Sequence, residues 1–441
     1  MSSPYTPVVG IEIHVELKTK SKMFCGCVND PFGAEKPNIY TCPVCLGMPG
    51  ALPVANKTAI DWTMKIGLAL GCEIALFSKF DRKHYFYPDL PKGYQISQYD
   101  QPLCVNGLVK TEFGDVRITR VHLEEDTGKL VHQEVDGKKV SLVDFNRSSV
   151  PLVEIVTEPD IKSALQAKAF TKKIHQLIKY LDVSLADMEK GSMRLEANIS
   201  VQTKEENEKN ELPPYKVEVK NLNSFRYIEH AITYEVKRQS DLRENGEIPT
   251  QETRGWNEVK GQTFSQRSKE SAEDYRYFPD PDLPPMRFTA EHIESIKQSL
   301  PILPDEQIEE FEKLGIKPSE AQILSEDPAN REVIAQIFAE GKKRKLDPLK
   351  VITQWINKKI TLETTVGNLF EQSQKLTQTD SVSDDKLQTA IDEVITDNEK
   401  AVTDYKAGKV QVIGFLIGMV KKKIGNVETT LIKEALTQAL Q

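Results

Sequence analysis

Two carboxylates and an imidazole alternate with aliphatic residues near the start of the chain. Glu12, His14 and Glu16 are each separated by one apolar residue within the stretch 8–17. A period of two is typical of a β-strand, so the three polar side chains share one face, about 6.5–7 Å apart. Carboxylate oxygens and a neutral imidazole together suit a divalent cation such as Mg²⁺ or Mn²⁺. The stretch predicts either a metal-binding strand or a strand with one solvated face.

More acidic residues are predicted on later strands. Glu154 lies among aliphatic residues, and a carboxylate buried in a strand needs a partner. Glu124 and Glu125 end another predicted strand, and neighbouring strand residues point to opposite faces, so at most one of the two joins a given ligand set. Strands at 194–201 and 216–220 repeat the pattern of one apolar and one charged face. Together these strands predict a large antiparallel sheet with a working polar face, which favours the metal-binding interpretation.

Four cysteines fall into two close pairs. Cys25 and Cys27 form a C-x-C pair, and Cys42 and Cys45 form a C-x-x-C pair. In a reducing compartment this spacing is typical of a structural, tetrahedral zinc site. The alternatives are four unconnected thiols, or a redox C-x-x-C pair that leaves the other pair without a role. We expect structural Zn²⁺ bound in a knuckle at residues 25–45.

Two basic segments are candidates for contacts with phosphate. Residues 78–95 interleave basic, aromatic and proline residues, which is typical either of a phosphate- or nucleic-acid-binding loop or of an aromatic-packed surface loop. Lys421, Lys422 and Lys423 follow an apolar run in a helical tail. They form either a contact with a phosphate backbone or an ordinary solvated helix end favoured by the helix dipole.

The composition is that of a globular protein with several domains. The chain has 441 residues, 39% hydrophobic and 28% charged, with a net charge of -8 and a pI near 5.6. Such a length predicts two to three domains, and the acidic balance argues against a non-specific nucleic-acid coat. No run of 18 apolar residues predicts a membrane span, and no secretory signal is evident, so we expect a cytoplasmic protein. P-loop, dinucleotide-binding and nucleophile-elbow motifs do not occur.

The pattern of predicted elements indicates an α+β fold. A large, mainly antiparallel sheet domain with covering helices is predicted over residues 1–289 and includes the cysteine knuckle. From about residue 290 helical periodicity replaces the strand patterns, which predicts an all-helical domain at 290–378. A linker and a small helical tail domain are predicted at 379–441.

Long motifs follow one another in a fixed order along the chain. They lie at residues 10–17, at the two cysteine pairs, and at 78–83, 85–89, 95–98, 123–126, 218–225, 251–254, 274–279, 404–408 and 414–418. This series resembles the family of B subunits of aspartyl/glutamyl-tRNA amidotransferases. The chain departs from the family pattern at Ser149, where glycine is usual, and at Glu196, where aspartate is usual. The segment between the helical and tail domains is also shorter than is typical.

The resemblance implies a function. In the family, a misacylated Asp-tRNA(Asn) or Glu-tRNA(Gln) enters a cradle-shaped N-terminal domain, where ATP and Mg²⁺ or Mn²⁺ serve to phosphorylate the side-chain carboxylate. Ammonia from a glutamine-hydrolysing amidase subunit then displaces the phosphate. A small third subunit completes a heterotrimer, and the helical and tail domains grip the tRNA. The alternative is a metal-stabilised tRNA-binding or assembly subunit without a catalytic site of its own.

The resemblance also implies roles for single residues. The residues that match the catalytic and metal motifs are Glu12, His14, Glu124, Glu125 and Glu154. The expected Mg²⁺ ligands are Glu12, His14, Glu125 and Glu154, with Glu124 placed behind them on strand-face grounds. The residues expected on the ammonia route or against phosphate are Lys79, Asp81, Lys83, Arg194 and Lys220. The residues expected to contact tRNA are Lys421, Lys422 and Lys423.

Overall fold

The chain folds as two compact units, Met1–Pro304 and Asp305–Gln441. The computed structural model describes residues 4–209, 211–268, 274–377, 383–425 and 427–440. The first unit combines a large sheet with helices and the second is helical, which confirms the predicted α+β class. The polar segment 371–385, which predicts a linker, overlaps the end of α10 (Val366–Thr377) and the start of α11 (Asp384–Asp397). Its residues 378–382 lie outside the described residues, and the division of the helical part at residue 378 stays a prediction.

The described strands all belong to the first unit. They are β1 (Tyr5–Glu16), β2 (Glu73–Ile74), β3 (Phe77–Ser78), β4 (Asp81–His84), β5 (Tyr94–Ser97), β6 (Cys104–Val109), β7 (Val116–Glu125), β8 (Lys129–Val135), β9 (Lys138–Asp144), β10 (Pro151–Thr157), β11 (Met193–Thr203), β12 (Val217–Lys220), β13 (Glu252–Asn257), β14 (Gln262–Ser268), β15 (Phe278–Pro279) and β16 (Met286–Arg287).

Nine of these strands form one sheet in the order β14-β13-β12-β11-β1-β10-β7-β6-β2. Among the described strands of this sheet, β12 and β13 pair in parallel and the other neighbours pair antiparallel. Smaller sheets join β15-β4-β5, β16-β3 and β8-β9. The first strand of the chain therefore lies in the middle of the large sheet, and its partners come from far along the sequence.

Strand β1 shows why the sheet has one apolar face. Its apolar residues Val9, Ile11, Ile13 and Val15 have no exposed surface. They form one hydrophobic cluster with buried residues of four helices, α1 (Lys57–Ala69), α2 (Ala164–Leu181), α4 (Phe225–Glu244) and α5 (Ala290–Gln298). Burying each aliphatic side chain stabilises the fold by about 1.5–3 kcal/mol. The short helix α3 (Lys204–Glu208) follows β11. The opposite face is left to the polar residues of the same strands.

The second unit contains two apolar clusters. Its helices are α6 (Pro304–Lys313), α7 (Pro318–Leu324), α8 (Asn330–Arg344), α9 (Pro348–Ile356), α10 (Val366–Thr377), α11 (Asp384–Asp397), α12 (Glu399–Lys406), α13 (Ile413–Ile424) and α14 (Thr429–Leu440), with a 3₁₀ turn at Val410–Val412. One cluster draws on residues 311–370 and the other on residues 390–440. None of the helices described in either unit has the length and apolar character needed to cross a bilayer.

Candidate metal centre

Three neighbouring strands bring His14, Glu124 and Glu154 together. One ligand atom from each of these side chains lies within 4.8 Å of the others, and we call this group the inner cluster. His14 pairs directly with Glu154 across β1 and β10, and Leu152 pairs with Glu124 across β10 and β7. The grouping therefore results from strand register, which brings His14 to two glutamates that lie more than 100 residues later in the chain.

His122 controls the charge of the inner cluster. Its Nε2 lies 3.1 Å from Oε2 of Glu154 and 3.6 Å from Oε2 of Glu124. Burial alone would lower the pKa of His122, but Glu154 and Glu124 raise it to about 9. Burial likewise opposes ionisation of the two glutamates, yet His122 holds the pKa of each below its usual range. Both carboxylates are therefore ionised at neutral pH, as metal ligands must be.

A second group of acids, the outer cluster, consists of Glu12, Glu196 and Glu218. One carboxylate oxygen from each lies within 4.8 Å of the others. Glu12 pairs with Glu196 across β1 and β11. Nζ of Lys220 lies 2.8 Å from Oε2 of Glu196 and 3.5 Å from Oε1 of Glu218. Burial, together with the neighbouring acids, raises the pKa of Glu12. Three hard oxygen donors fit Mg²⁺ or Mn²⁺.

Glu125 points away from both clusters. Its Oε2 accepts a hydrogen bond from Nζ of Lys92 at 2.6 Å, and its Oε1 accepts one from the backbone of Ile96 at 3.0 Å. The strand-face argument that only one of the two neighbours joins a ligand set agrees with this geometry. Of the two neighbours, Glu124 rather than Glu125 lies beside His14, and Glu12 lies in the outer cluster. The four residues expected to bind Mg²⁺ therefore do not form one group in the structure, and which of them bind metal stays a prediction.

Glu16 shares the polar face with Glu12 and His14 but belongs to a different network. Burial and the adjacent Asp126 raise its pKa to about 9, so it is a neutral acid at pH 7. Nη2 of Arg194 lies 2.5 Å from Oδ2 of Asp126 and 4.0 Å from Oε1 of Glu16. Arg194 therefore forms its ion pair with Asp126, in the turn that follows β7.

The loop lysines differ in what they contact. Nζ of Lys79 lies 2.5 Å from Oδ1 of Asp81 and 2.6 Å from Oδ1 of Asp100, so its charge is neutralised. Nζ of Lys83 instead lies 5.0 Å from the ring centre of Tyr275 and 5.8 Å from that of Tyr85. Burial lowers the pKa of Lys83, but Glu124 and other groups outweigh burial and raise it. Lys83 is therefore a cation next to the inner cluster.

The four knuckle cysteines converge. Their sulfur atoms lie within 4.8 Å of one another, and Sγ of Cys42 and Cys45 are 3.9 Å apart. A hydrogen bond from Cys25 lowers the pKa of Cys45 to about 5, while burial contributes to raising that of Cys27 to about 11. Nζ of the fully buried Lys22 lies 3.9 Å from Sγ of Cys45. Four convergent thiols with a cation beside them fit a tetrahedral zinc-thiolate site.

The tail lysines lie at the end of α13. Lys423 contacts Glu393 at 2.7 Å and Asp397 at 2.9 Å, and Lys421 donates a hydrogen bond to Thr429 at 2.7 Å. The ion pairs of Lys423 reduce the positive charge that this helix end offers to a ligand.

A cavity of about 380 Å³ opens beside Glu12. Its floor includes Gly10, which has no side chain, and its wall includes Leu212 and Tyr215. Asn198 also lines it: Nδ2 donates to Glu12 at 2.8 Å, while Oδ1 is buried without a hydrogen-bond partner among the described residues.

Sequence reasoning missed several of these residues. Arg120 and His122 alternate with Glu124 on β7, so the same period of two that revealed β1 would have revealed them. Glu196 and Glu218 lie on strands that were recognised as charged, but their meeting depends on the β11–β12 register.

The fold and site define a two-unit α+β protein whose sheet face gathers carboxylates and imidazoles and whose first unit also contains a cluster of four cysteines. Residues 7–294 match the family described as the GatB/GatE catalytic domain, and residues 324–440 match the GatB domain. The chain is 43% identical to the B subunit of the aspartyl/glutamyl-tRNA(Asn/Gln) amidotransferase of Thermomicrobium roseum and 42% identical to that of Thermodesulfovibrio yellowstonii, with 99% of both chains covered in each case. The corresponding protein of Dehalococcoides mccartyi is 40% identical over 99% of both chains. The chain belongs to this family of amidotransferase B subunits.

Proposed function

We propose that this chain is the carboxylate-activating subunit of a tRNA-dependent amidotransferase, an ATP-dependent carbon–nitrogen ligase. Its substrate is a misacylated tRNA, Asp-tRNA(Asn) or Glu-tRNA(Gln). The observation that carries the proposal is the pair of acid clusters, inner and outer, side by side on one sheet face. Acid clusters of this kind can bind divalent cations, and such cations neutralise the phosphates of a nucleotide.

The reaction proceeds in two balanced steps. A carboxylate oxygen of the aminoacyl side chain attacks the γ-phosphorus of ATP, the bond from that phosphorus to the bridging oxygen breaks, and ADP leaves. Ammonia then attacks the carboxyl carbon, inorganic phosphate leaves, and the nitrogen loses a proton to give the amide. Negative charge accumulates in the first step, and Mg²⁺ or Mn²⁺, when bound, neutralises it.

The residues of the inner cluster are suited to holding one such cation. His14, Glu124 and Glu154 offer an imidazole and two ionised carboxylates, and His122 orients Glu154 by a hydrogen bond from outside the ligand set. The outer cluster offers a second set of oxygens, in contact with Lys220. Lys220 and Lys83 are cations placed to meet phosphate oxygens.

The cavity beside Glu12 is suited to the nucleoside. About 380 Å³ lies within the range of small-molecule sites, and the lining combines apolar residues such as Leu212 with polar ones such as Asn198 and Gln251. The unpartnered Oδ1 of Asn198 offers a hydrogen-bond acceptor to such a ligand. A nucleoside held here directs its phosphates toward Glu12 and the two clusters.

Two partner subunits supply the ammonia and complete the complex. A glutamine-hydrolysing amidase subunit supplies ammonia, a small third subunit completes a heterotrimer, and the second unit, including Lys421 and Lys422, contacts the tRNA. The cysteine knuckle holds structural Zn²⁺, and the complex works in the cytoplasm.

The test is an amidation assay on the purified complex. We expect the wild type to convert Asp-tRNA(Asn) or Glu-tRNA(Gln) to the amide with ATP and glutamine. The double substitution Glu12→Ala with His14→Ala removes one group from each cluster and should abolish conversion while tRNA binding persists. His132→Ala on the exposed β8 is the matched control and should be fully active. Full activity of the double variant would exclude the proposal in favour of a role in binding or assembly alone.

A further inference from the structure

Arg120 is a cation on the polar sheet face that has no close carboxylate partner among the described residues. Its Nη2 lies 3.9 Å from Oε1 of Glu154, and its Nε lies 3.4 Å from Nδ1 of His122. Both distances are too long for a strong hydrogen bond. The side chain keeps about a third of its surface exposed, at 36%.

The neighbours of Arg120 across the sheet are both apolar. It pairs with Val156 on β10 and with Val105 on β6. Val156 in turn pairs with Glu12 on β1, so a single valine separates the guanidinium from the outer cluster along one row of the sheet. Strands lie about 4.8 Å apart, which leaves a gap of roughly 10 Å between the backbones of β7 and β1.

Other arginines of the first unit show the contrast. Arg117, three residues earlier on the same strand, binds Asp160 through two side-chain hydrogen bonds of 2.7 and 2.9 Å. Arg82 binds Asp280 at 2.7 Å. A guanidinium fork that matches a carboxylate in shape and lies beside the clusters without such a partner is available for an anionic ligand.

We propose that Arg120 binds the side-chain carboxylate of the aminoacyl group and so selects the acid over its amide. The inference rests on the proposed function and deepens it. Arg120 meets the carboxylate at the end of the aspartyl or glutamyl side chain, one strand beyond Val156 at the edge of the cavity.

The lining of the cavity favours the carboxylate over the nucleotide as the ligand of Arg120. The cavity is lined by Glu12 on β1, Asn198 on β11 and Val156 on β10, and Arg120 on β7 is not one of its lining residues. A nucleoside in the cavity therefore lies against Glu12 and Val156, and Arg120, one strand beyond Val156, remains available for the acceptor carboxylate.

The experiment compares Arg120→Gln and Arg120→Lys with the wild type in the complete complex. Arg117→Gln is the matched control, because it removes a guanidinium from the same strand outside the site. Steady-state assays give KM for the misacylated tRNA and for ATP. Competition binding gives the preference for Asp-tRNA(Asn) over Asn-tRNA(Asn), a readout that needs no turnover. Thermal unfolding shows that each variant is folded.

We expect Arg120→Gln to raise KM for the misacylated tRNA by about 10- to 100-fold, the range of a lost charge-assisted hydrogen bond, and to abolish the preference for acid over amide. Arg120→Lys keeps the charge without the fork and should retain part of the preference. KM for ATP should change by less than about twofold, and Arg117→Gln should resemble the wild type.

Three results would overturn the assignment. An unchanged acid-over-amide preference in Arg120→Gln shows that the guanidinium does not read the carboxylate. A rise in KM for ATP alone assigns Arg120 to the nucleotide. A fall in kcat with both KM values unchanged and weaker Mn²⁺ binding shows that Arg120 only positions Glu154. An inactive wild-type complex would refute the proposed function instead, while the binding preference would still test Arg120.

Discussion

Glu154 lies directly opposite His122 across the β7–β10 pair, with its Oε2 3.1 Å from the imidazole Nε2. The imidazole of His122 offsets the negative charge of Glu154, which is buried on the sheet face together with Glu124. Removing the imidazole leaves two buried carboxylates without their main counter-charge. The pair therefore links the stability of the sheet to the occupancy of the inner cluster.

The first prediction concerns that link. His122→Ala should destabilise the chain by about 3–5 kcal/mol, the cost of breaking a buried ion pair. A divalent cation that neutralises the carboxylates should restore part of this loss, so Mn²⁺ should raise the Tm of the variant more than that of the wild type. Thermal unfolding with and without Mn²⁺ checks this, with His132→Ala as control. Equal Mn²⁺ shifts in the variant and the wild type would contradict it.

The second prediction separates the two neighbouring glutamates. Glu124→Gln should weaken Mn²⁺ binding about 100-fold, because it removes an ionised ligand from the inner cluster. Glu125→Gln should leave Mn²⁺ affinity nearly unchanged, since its side chain contacts Lys92 on the other face. Titration calorimetry on both variants decides the matter. Equal losses of affinity would show that the register-based assignment is mistaken.

The third prediction concerns the cysteine knuckle. The purified chain should retain about one equivalent of zinc, and Cys45→Ser should lose it. Lys22→Met should release zinc to a chelator faster than the wild type, because the ammonium beside Sγ of Cys45 offsets thiolate charge. Metal analysis and a colorimetric chelator assay measure both effects. Cys72→Ala, which changes a cysteine outside the knuckle, should keep its zinc.

The fourth prediction concerns Ser149, which has a left-handed backbone conformation. Its φ is 67°, a left-handed conformation that costs a residue with a Cβ about 1–2 kcal/mol. Its hydroxyl is also buried without a hydrogen-bond partner among the described residues. Ser149→Gly should therefore stabilise the chain by about 1 kcal/mol in urea unfolding, and Ser149→Ala, which removes only the hydroxyl, should stabilise it less. A destabilised glycine variant would mean that the hydroxyl has a partner in solution.

The fifth prediction concerns pH. Burial opposes ionisation of Glu235, but hydrogen bonds and charge from Arg238, with further groups, lower its pKa. A carboxyl with a lower pKa in the folded state contributes stability above its unfolded pKa, near 4.3, and loses it as the pH falls through the folded value. The free energy of unfolding of Glu235→Gln should thus depend less steeply on pH below about 5 than that of the wild type. Parallel pH profiles for the two proteins would count against this.

Local patterns in the sequence predicted a large part of the site. The alternation around Glu12 and His14 indicated both the strand and its polar face, because side-chain direction follows from strand geometry alone. The spacing of the cysteine pairs indicated a common site, and the sulfur atoms of Cys25 and Cys45 do converge.

The remaining features depend on which strands pair and in what register. Alternation could show that Glu124 and Glu125 face opposite ways, but only the β7–β10 register shows which of them lies beside His14. In the same way, the charge of Lys423 is offset by residues of α11, about 30 positions earlier, which no local pattern reveals.

The position of β1 has a consequence for biosynthesis. Residues 5–16 are synthesised well before both of their sheet neighbours, β10 and β11, which come more than 130 residues later. Contacts between such distant segments form slowly. Until they form, β1 of a growing chain exposes unpaired backbone hydrogen-bonding groups and an apolar face. Synthesis must therefore reach β11 before β1 can have both of its neighbours, which makes the growing chain a substrate for chaperones that bind nascent polypeptides.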